Sequence, residues 1–396
     1  MYTYLVLGAG TQGTTIAYDM ARFGDANTVH LKDAQLPQAE QAAAHINQLL
    51  EKEGLTPCVV AGAIDVTDTE ALKTAMQDVD SCLSAVPYHF NPRIAACAVA
   101  TRTHFNDLGG NTALVQEELA LHEEALAAGI SLIPDCGLAP GLGNTLAAYS
   151  IEQLDQCDTV QIRCGGLPQN PQPPLDYMIV FSIEGLTNEY FGKAVILREG
   201  KVTKVDTFEE LETLSIEGLG ELEAFTTSGG SSTCPWTYEG QVNTYEYKTI
   251  RYPGHHAKFK VLKDLGLLSL NAVEVKGQNV VPRDLFHTVA KERLTFEDKR
   301  DLVIIQSVCT GKKDGQDCIL SYTILDYYDN ATQFNAMSRM TGYPASIVAI
   351  MSARGQNQKG AVPLERSVPG EIFMEELAKR GIQIQKTLLT PEIGNE

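Results

Sequence analysis

The chain has 396 residues, 44% of them hydrophobic and 20% charged, with a formal net charge of −19. That length fits two domains with a sizeable core, and the acidic balance excludes nucleic acid and anionic membrane surfaces as partners. No uninterrupted apolar stretch is long enough to span a bilayer, and the chain opens on a strand rather than a secretory leader, which predicts a cytoplasmic protein.

That first strand, Leu5-Val6-Leu7, runs into Gly8-Ala9-Gly10-Thr11-Gln12-Gly13, a G-x-G-x-x-G turn. Gly8 makes the tight turn, Gly10 lets backbone approach a pyrophosphate, and Gly13 lets the next helix pack close to the strand. The helix over residues 12–23 carries Ile16, Ala17 and Met20 on one face and stops at Gly24. Its first turn, with Thr11 and Gln12, offers free N–H groups and a positive dipole end to an anion. A second strand (28–31) leads to Asp33, where a dinucleotide fold places the carboxylate that binds the adenosine ribose. A carboxylate there repels a 2′-phosphate, Ala34 offers no guanidinium, and Lys32, last in the strand, is read as pointing away; NAD is the predicted cofactor.

A helix over 35–53, a strand over 58–60, and the loop Asp65-Val66-Thr67-Asp68 ending in a helix cap come next. Asp65 and Val66 count among the cofactor contacts. Strands over 80–86, 104–106 and 130–133 alternate with helices that include 92–100 and 112–128. Six strands with five crossovers make a Rossmann-type doubly wound parallel sheet over residues 1–140. Beyond it, short β-branched and aromatic runs (159–163, 177–181, 241–247) and a hairpin (193–197 with 201–205) predict a second, α+β domain over 141–334 with a largely antiparallel sheet. Helical texture returns at 337–351 and 369–380, the latter capped by Gly381. Residues 335–396 are therefore expected to pack back on the first domain and leave the cleft between domains. The nine cysteines are scattered, the pattern of reduced buried thiols.

In an open parallel sheet, ligands sit beyond the carboxyl ends of the strands. Three loops lie there: Ser84-Ala85-Val86-Pro87-Tyr88-His89-Phe90, Asp107-Leu108-Gly109-Gly110-Asn111 and Pro134-Asp135-Cys136-Gly137-Leu138-Ala139-Pro140-Gly141. Ser84, Ala85, Val86 and Gly109 join the expected cofactor contacts. Together with Phe181-Ser182-Ile183-Glu184-Gly185-Leu186, Thr226-Thr227-Ser228-Gly229-Gly230, Lys248-Thr249-Ile250-Arg251-Tyr252-Pro253-Gly254-His255 and Met337-Ser338-Arg339-Met340-Thr341-Gly342-Tyr343-Pro344, they resemble the saccharopine dehydrogenase family, and within it the lysine 6-dehydrogenase branch. The resemblance implies an NAD(P)-dependent enzyme that oxidises a C–N bond of lysine, saccharopine or a carboxy-polyamine. It also implies substrate held by the second domain, closure by the tail, and a homodimer or larger. The Arg of the Arg-Tyr-x-Gly motif, here Arg251, would hold a substrate carboxylate; its planar fork suits bidentate recognition.

Hydride removal from a primary amine requires the neutral amine and then hands an iminium to water, so a base of near-neutral pKa serves both steps. Asp135 stands at the expected nicotinamide edge, where apolar surroundings would raise its pKa; the alternative is a cap for the following helix. Tyr88 and His89, on the opposite loop, are candidates to orient the amine or relay the proton, although a plain hydrogen-bonding role fits His89 as well. Glu184 in a Gly-flanked turn is a candidate counter-charge for an ammonium, or a solvated loop carboxylate. His255 and His256 lack a third ligand at standard spacing, so no metal site is expected, and Cys136 reads as packing. The compact length favours lysine over saccharopine, which would need further cations; Arg163, Arg198 and Arg283 are the candidates. A nucleotide-binding regulator without turnover is the reading from another class.

Overall fold

The structure is a computed structural model, and it describes residues 1–390. The first half alternates as the apolar runs dictate: β1 (Tyr2–Leu7), α1 (Thr11–Phe23), β2 (Ala26–Asp33), α2 (Leu36–Lys52), β3 (Val59–Ala63), α3 (Thr69–Met76), β4 (Ser81–Ser84), α4 (Asn91–Thr101), β5 (His104–Asp107), α5 (Thr112–Leu119), α6 (His122–Ala128), β6 (Ser131–Ile133) and α7 (Leu142–Glu152). Val6 and Leu83, on adjacent central strands, are completely buried, as expected where helices cover both faces of a parallel sheet. Asp68 caps α3, accepting hydrogen bonds from the Glu70 and Ala71 amides. The single helix expected over 112–128 is two, α5 and α6, broken at Ala120 and Leu121.

The second sheet is built from β7 (Gln156–Pro168), β8 (Lys193–Arg198), β9 (Lys201–Asp206), β10 (Glu212–Ile216), β11 (Gly220–Thr226) and β12 (Thr244–Arg251), with α8 (Ile183–Glu189) and α9 (Cys234–Thr237) inserted. After α10 (His255–Asp264), a small ribbon of β13 (Val273–Val275) and β14 (Gln278–Val280), and α11 (Pro282–Arg293), the long hairpin β15 (Asp301–Lys313) and β16 (Gln316–Tyr327) completes it. The tail comprises α12 (Ala336–Ala353), β17 (Gly360–Ala361), α13 (Leu364–Ser367), α14 (Gly370–Lys379) and β18 (Ile384–Leu389).

The first sheet runs β17-β6-β5-β4-β1-β2-β3, all parallel, so the six expected strands gain a seventh from the tail. The second runs β10-β11-β12-β7-β15-β16-β18, with the β8–β9 hairpin on β12; β12 and β7 pair in parallel and the other pairs are antiparallel. Two expectations need correction. Residues 177–181 are not a strand: Tyr177 is buried in a satellite core with Leu186 and Phe259 rather than laid in a ladder, and Met178 beside it is buried too. The tail is not wholly helical, because β18 edges the second sheet against β16; residues 391–396 of the expected tail lie outside the described residues.

Helix α12 lies against β4, β5 and α1, and α14 packs on α12 and α7. α12 is buried almost all round, and Gly342 allows close approach to α1, since a Cβ there would lie 3.2 Å from Ile16 and 3.3 Å from Thr15. The Asn106 amide donates to the Ala345 carbonyl at 2.9 Å and pins α12 to β5. Arg380, beyond α14, is completely buried against Asp19 of α1 with Nε–Oδ1 at 2.8 Å, and its Nη1 reaches Glu376 at 2.8 Å. Among the described residues no helix is long and apolar enough to cross a membrane.

Candidate active site

The glycine turn has the geometry its sequence requires. Gly8 has φ +98°, and a Cβ there would lie 2.7 Å from the Ala85 carbonyl oxygen; a Cβ on Gly13 would strike the Gly8 carbonyl at 1.8 Å. Gly10 has open space at its Cβ position, and no side chain caps α1, so its first amides are left for an anion. Asp33 accepts from the Ala9 amide (2.8 Å) and the Gln35 amide (2.9 Å), tying β2 to the glycine turn. Lys32 lies along Gly62 of β3, with its Cε 3.4 Å from where a Cβ would stand. Asp65, exposed beyond β3, accepts from the Thr67 amide and hydroxyl, with Val66 half-buried beside it. Ser84 donates to Asn91 Oδ1 at 2.7 Å under the Ala85-Val86 backbone. A cradle of small residues, uncapped amides and a carboxylate at the end of β2 fits a nicotinamide dinucleotide.

Past that cradle lies a cavity of about 480 Å³ between the two sheets, whose walls include Gln12, Tyr88, Asp135, Glu184, Glu189 and Arg251. The Gln12 side-chain oxygen is buried without a partner among the described residues. Gly110, at φ +134°, packs under the Tyr88 ring, where a Cβ would come within 2.7 Å. His89 stays outside these walls, exposed and tilted against Phe90 with ring centroids 4.0 Å apart.

Asp135 is 4% exposed and left-handed at φ +61°, a strained setting for a non-glycine residue that points to a functional constraint. Its Oδ2 accepts from the Ser232 hydroxyl, whereas Oδ1 is buried with no partner among the described residues. Burial, reinforced by the negative charge of Asp107, pushes its carboxyl up to about 7. Asp107 itself accepts from the Gly109 amide (2.6 Å) and the Asp135 amide (3.2 Å), fixing the two loops together. Gly109 admits no side chain, since a Cβ would stand 1.8 Å from Asp135 Oδ1. Asp135 does not cap α7; Gly141 and Asn144 do. Cys136 is buried, its thiol pushed well up by burial and donating to the Ile133 carbonyl.

Opposite, Arg251 ends β12 and is 3% exposed. Its Nε donates to the Tyr190 hydroxyl at 2.8 Å, Nη1 donates to the Ile250 carbonyl at 2.9 Å, and the guanidinium lies 5.0 Å from the centre of the Tyr177 ring. His255 completes the support: Nε2 lies 3.0 Å from the Tyr190 hydroxyl and Nδ1 3.0 Å from the Leu175 carbonyl. A carbonyl takes only a donor, so Nδ1 carries the proton, and Tyr190 donates to Nε2 while accepting from Arg251. Burial keeps this imidazole neutral, well below its usual pKa. His255 is thus a support for Arg251, and His256 stacks on Phe208.

Glu184 sits in the first turn of α8, its side chain 67% exposed and 4.0 Å from His287. Sequence reasoning missed Glu189, at the other end of α8, whose carboxylate lies 3.8 Å from Arg251 Nη2. It also missed the Gly165-Gly166 pair of β7. A Cβ on Gly165 would press the Ile250 carbonyl at 2.7 Å and one on Gly166 would meet Met337 at 2.3 Å, so only glycines leave the cavity floor open.

A second hollow of about 830 Å³ adjoins the first and shares Tyr88, Gly110, Asn188 and Ser228 with it. Its far wall carries Lys193, Lys204, Lys263 and Arg283. Arg283 lies 4.3 Å over the Phe191 ring and donates to Asn188 Oδ1 and the Leu268 carbonyl. Among the described residues no carboxylate lies within ion-pair distance of Lys204, Lys263 or Arg283. The other two guanidiniums considered are committed elsewhere, Arg163 to Glu212 and Glu246, and Arg198 to Glu210.

Comparison with known proteins matches the Saccharopine dehydrogenase NADP binding domain at residues 4–133 and the Saccharopine dehydrogenase C-terminal domain at residues 137–382. Saccharopine dehydrogenase [NADP(+), L-glutamate-forming] of Saccharomyces cerevisiae is 25% identical over 262 residues, 64% of this chain and 58% of the relative. The corresponding enzyme of Pyricularia oryzae is matched over 47% of its length, so the chain spans about half of these fungal relatives. Carboxyaminopropylagmatine dehydrogenase of Synechocystis is 22% identical over 96% of both chains. In three dimensions, apo saccharopine dehydrogenase (L-Glu forming) from Saccharomyces cerevisiae superposes with a TM-score of 0.79 at 21% identity, covering 98% of this chain and 100% of that one. The glycine turn lies within the first match and the supported Arg251 within the second, with the buried Asp135 at the junction between them, and the chain belongs to the saccharopine dehydrogenase family.

Proposed function

We propose that this protein is a nicotinamide-dinucleotide-dependent dehydrogenase that oxidises a C–N bond of an amino acid, with the ε-amine of L-lysine as the leading substrate. The observation that carries the reading is that one cavity presents a buried, unsatisfied Asp135 oxygen and, on another wall, a guanidinium with spare donors. Arg251 anchors the substrate carboxylate; Asp135, as carboxylate, takes the proton from the distal ammonium, releases it to solvent, then takes one from the water that adds to the iminium and returns it to the departing nitrogen. A nicotinamide held beside the glycine turn would supply the hydride acceptor for the carbon bearing the nitrogen, and the products would be ammonia and 2-aminoadipate 6-semialdehyde. Tyr88, on the cavity wall, orients the amine. The ionisable walls of this cavity are three carboxyls and one guanidinium, which suits a substrate with two amines and one carboxylate. NAD is the proposed cofactor, because Asp33 would repel a 2′-phosphate and Lys32 is laid along Gly62.

The cationic hollow beside the cavity favours a second reading: a secondary amine with a further anionic arm, as in saccharopine or a carboxylated polyamine. The deciding experiment is reduction of NAD and of NADP by the purified protein with L-lysine, followed by an ammonia assay. Turnover with saccharopine alone establishes the second reading, and tight cofactor binding with no turnover on any of these amines makes the protein a regulator.

A further inference from the structure

We infer that Glu189 and Arg251 together form a clamp for the zwitterionic α-carbon end of the substrate, so that the site selects free α-amino acids over plain carboxylates of the same length. The inference rests on the cavity being the amine-oxidising site proposed above. Its basis is a charge count. Glu189 is the carboxylate paired with Arg251, and the 3.8 Å separation is too long for a hydrogen bond. The Glu189 carboxylate accepts no hydrogen bond from any described residue; its side chain is 32% accessible, and the residue lines the cavity. Burial pushes this carboxyl up to about 7 against the pull of Arg251, as expected for an acid whose partner is insufficient.

With the cavity empty of ligand, this end of the site is neutral, one guanidinium against one carboxylate. An incoming carboxylate on Arg251 leaves a net negative charge in a desolvated pocket, which is costly. An α-ammonium on the same carbon restores neutrality and gives Glu189 the donor it lacks. Glu184 is poorly suited to this role, being largely exposed and leaning toward His287. Glu189 thereby acts as a specificity-determining residue, contributing the half of the anchor that a lone guanidinium does not.

L-Norleucine and hexanoate separate the two halves, since both carry lysine's carbon chain without its reactive amine and differ in the α-ammonium. Their dissociation constants are measured by calorimetry on the full chain with cofactor present, for wild type, Glu189→Gln and Glu189→Asp. Wild type should bind norleucine at least about tenfold more tightly than hexanoate, the size of one charge-assisted hydrogen bond. Glu189→Gln should erase that preference, and Glu189→Asp should keep part of it. Equal binding of the two ligands, no binding of either, or a preference that survives in Glu189→Gln overturns the clamp. Lysine turnover is assayed in parallel: turnover without a norleucine preference refutes the clamp alone, whereas the preference without turnover refutes the proposed reaction alone.

Discussion

Replacing Arg251 with alanine tests the anchor directly. Of five guanidinium hydrogens, one is given to Tyr190 and one to the Ile250 carbonyl, leaving three without a partner at hydrogen-bond distance. Two of these suffice for a bidentate carboxylate. A hydrogen bond to a charged group contributes about 1.5–3 kcal/mol, and allowing for water that refills the space, the loss in kcat/KM should be about 2–4 kcal/mol, roughly 30- to 700-fold. It should fall mainly on the KM of the amino-acid substrate. Cofactor affinity, read by quenching of protein fluorescence, should stay nearly constant, because the glycine turn belongs to the other sheet. Arg251→Lys should recover only part of the loss, since an ammonium lacks the planar fork. Thermal unfolding of each variant separates folding from binding. If KM stays within about twofold while stability drops, Arg251 serves the core by holding Tyr190, and the carboxylate assignment fails.

Asp135→Asn should lower kcat by about 10²- to 10⁴-fold, the usual worth of a positioned acid–base group. In wild type the Asp135 carboxyl is protonated below about 7, so amine oxidation should weaken as pH falls through that value; the reverse reaction, which needs the acid form, should show the opposite slope. An unchanged pH–rate profile in the variant removes Asp135 from the chemistry. Asp33→Ala should weaken NAD relative to NADP when both are titrated by fluorescence, and an unaltered ratio refutes the ribose assignment. Asp19→Ala leaves the completely buried Arg380 with Glu376 as its remaining counter-ion and should cost about 3 kcal/mol in urea unfolding. A loss under about 1 kcal/mol would mean that the pair is dispensable.

The amino-terminal sheet was legible because its central strands β1 and β4 are mostly buried and read as apolar runs, with punctuation at Gly24 and Asp68. What escaped was structure made by tertiary demand. Gly360-Ala361 is too short to carry a pattern, yet it pairs with Ser131 and Leu132. Ile384–Leu389 has no helical periodicity to contradict, and only the open edge of β16 makes it a strand. Tyr177 resembles a strand residue because it is aromatic, but its ring is spent on Arg251. The base candidate was legible from its loop, including the effect of burial, whereas the added influence of Asp107 required the two loops in space. Glu189 carries no motif; its meaning depends on where a seven-residue helix delivers it relative to the end of β12. His255 stood in view beside Arg251, and its role as a tautomer-fixed prop emerged only from the bonds on both ring nitrogens.

The tail helices have a consequence for how the molecule is made. Asp19 is enclosed in the nucleotide-binding half, yet its partner Arg380 lies 361 residues further along the chain, and α1 and β6 likewise wait for α12 and β17. As the polypeptide leaves the ribosome, the amino-terminal half must therefore remain unfinished until the second sheet has been translated. An apparently self-contained module at the start of the sequence is, in assembly terms, closed only by segments from the chain's far end.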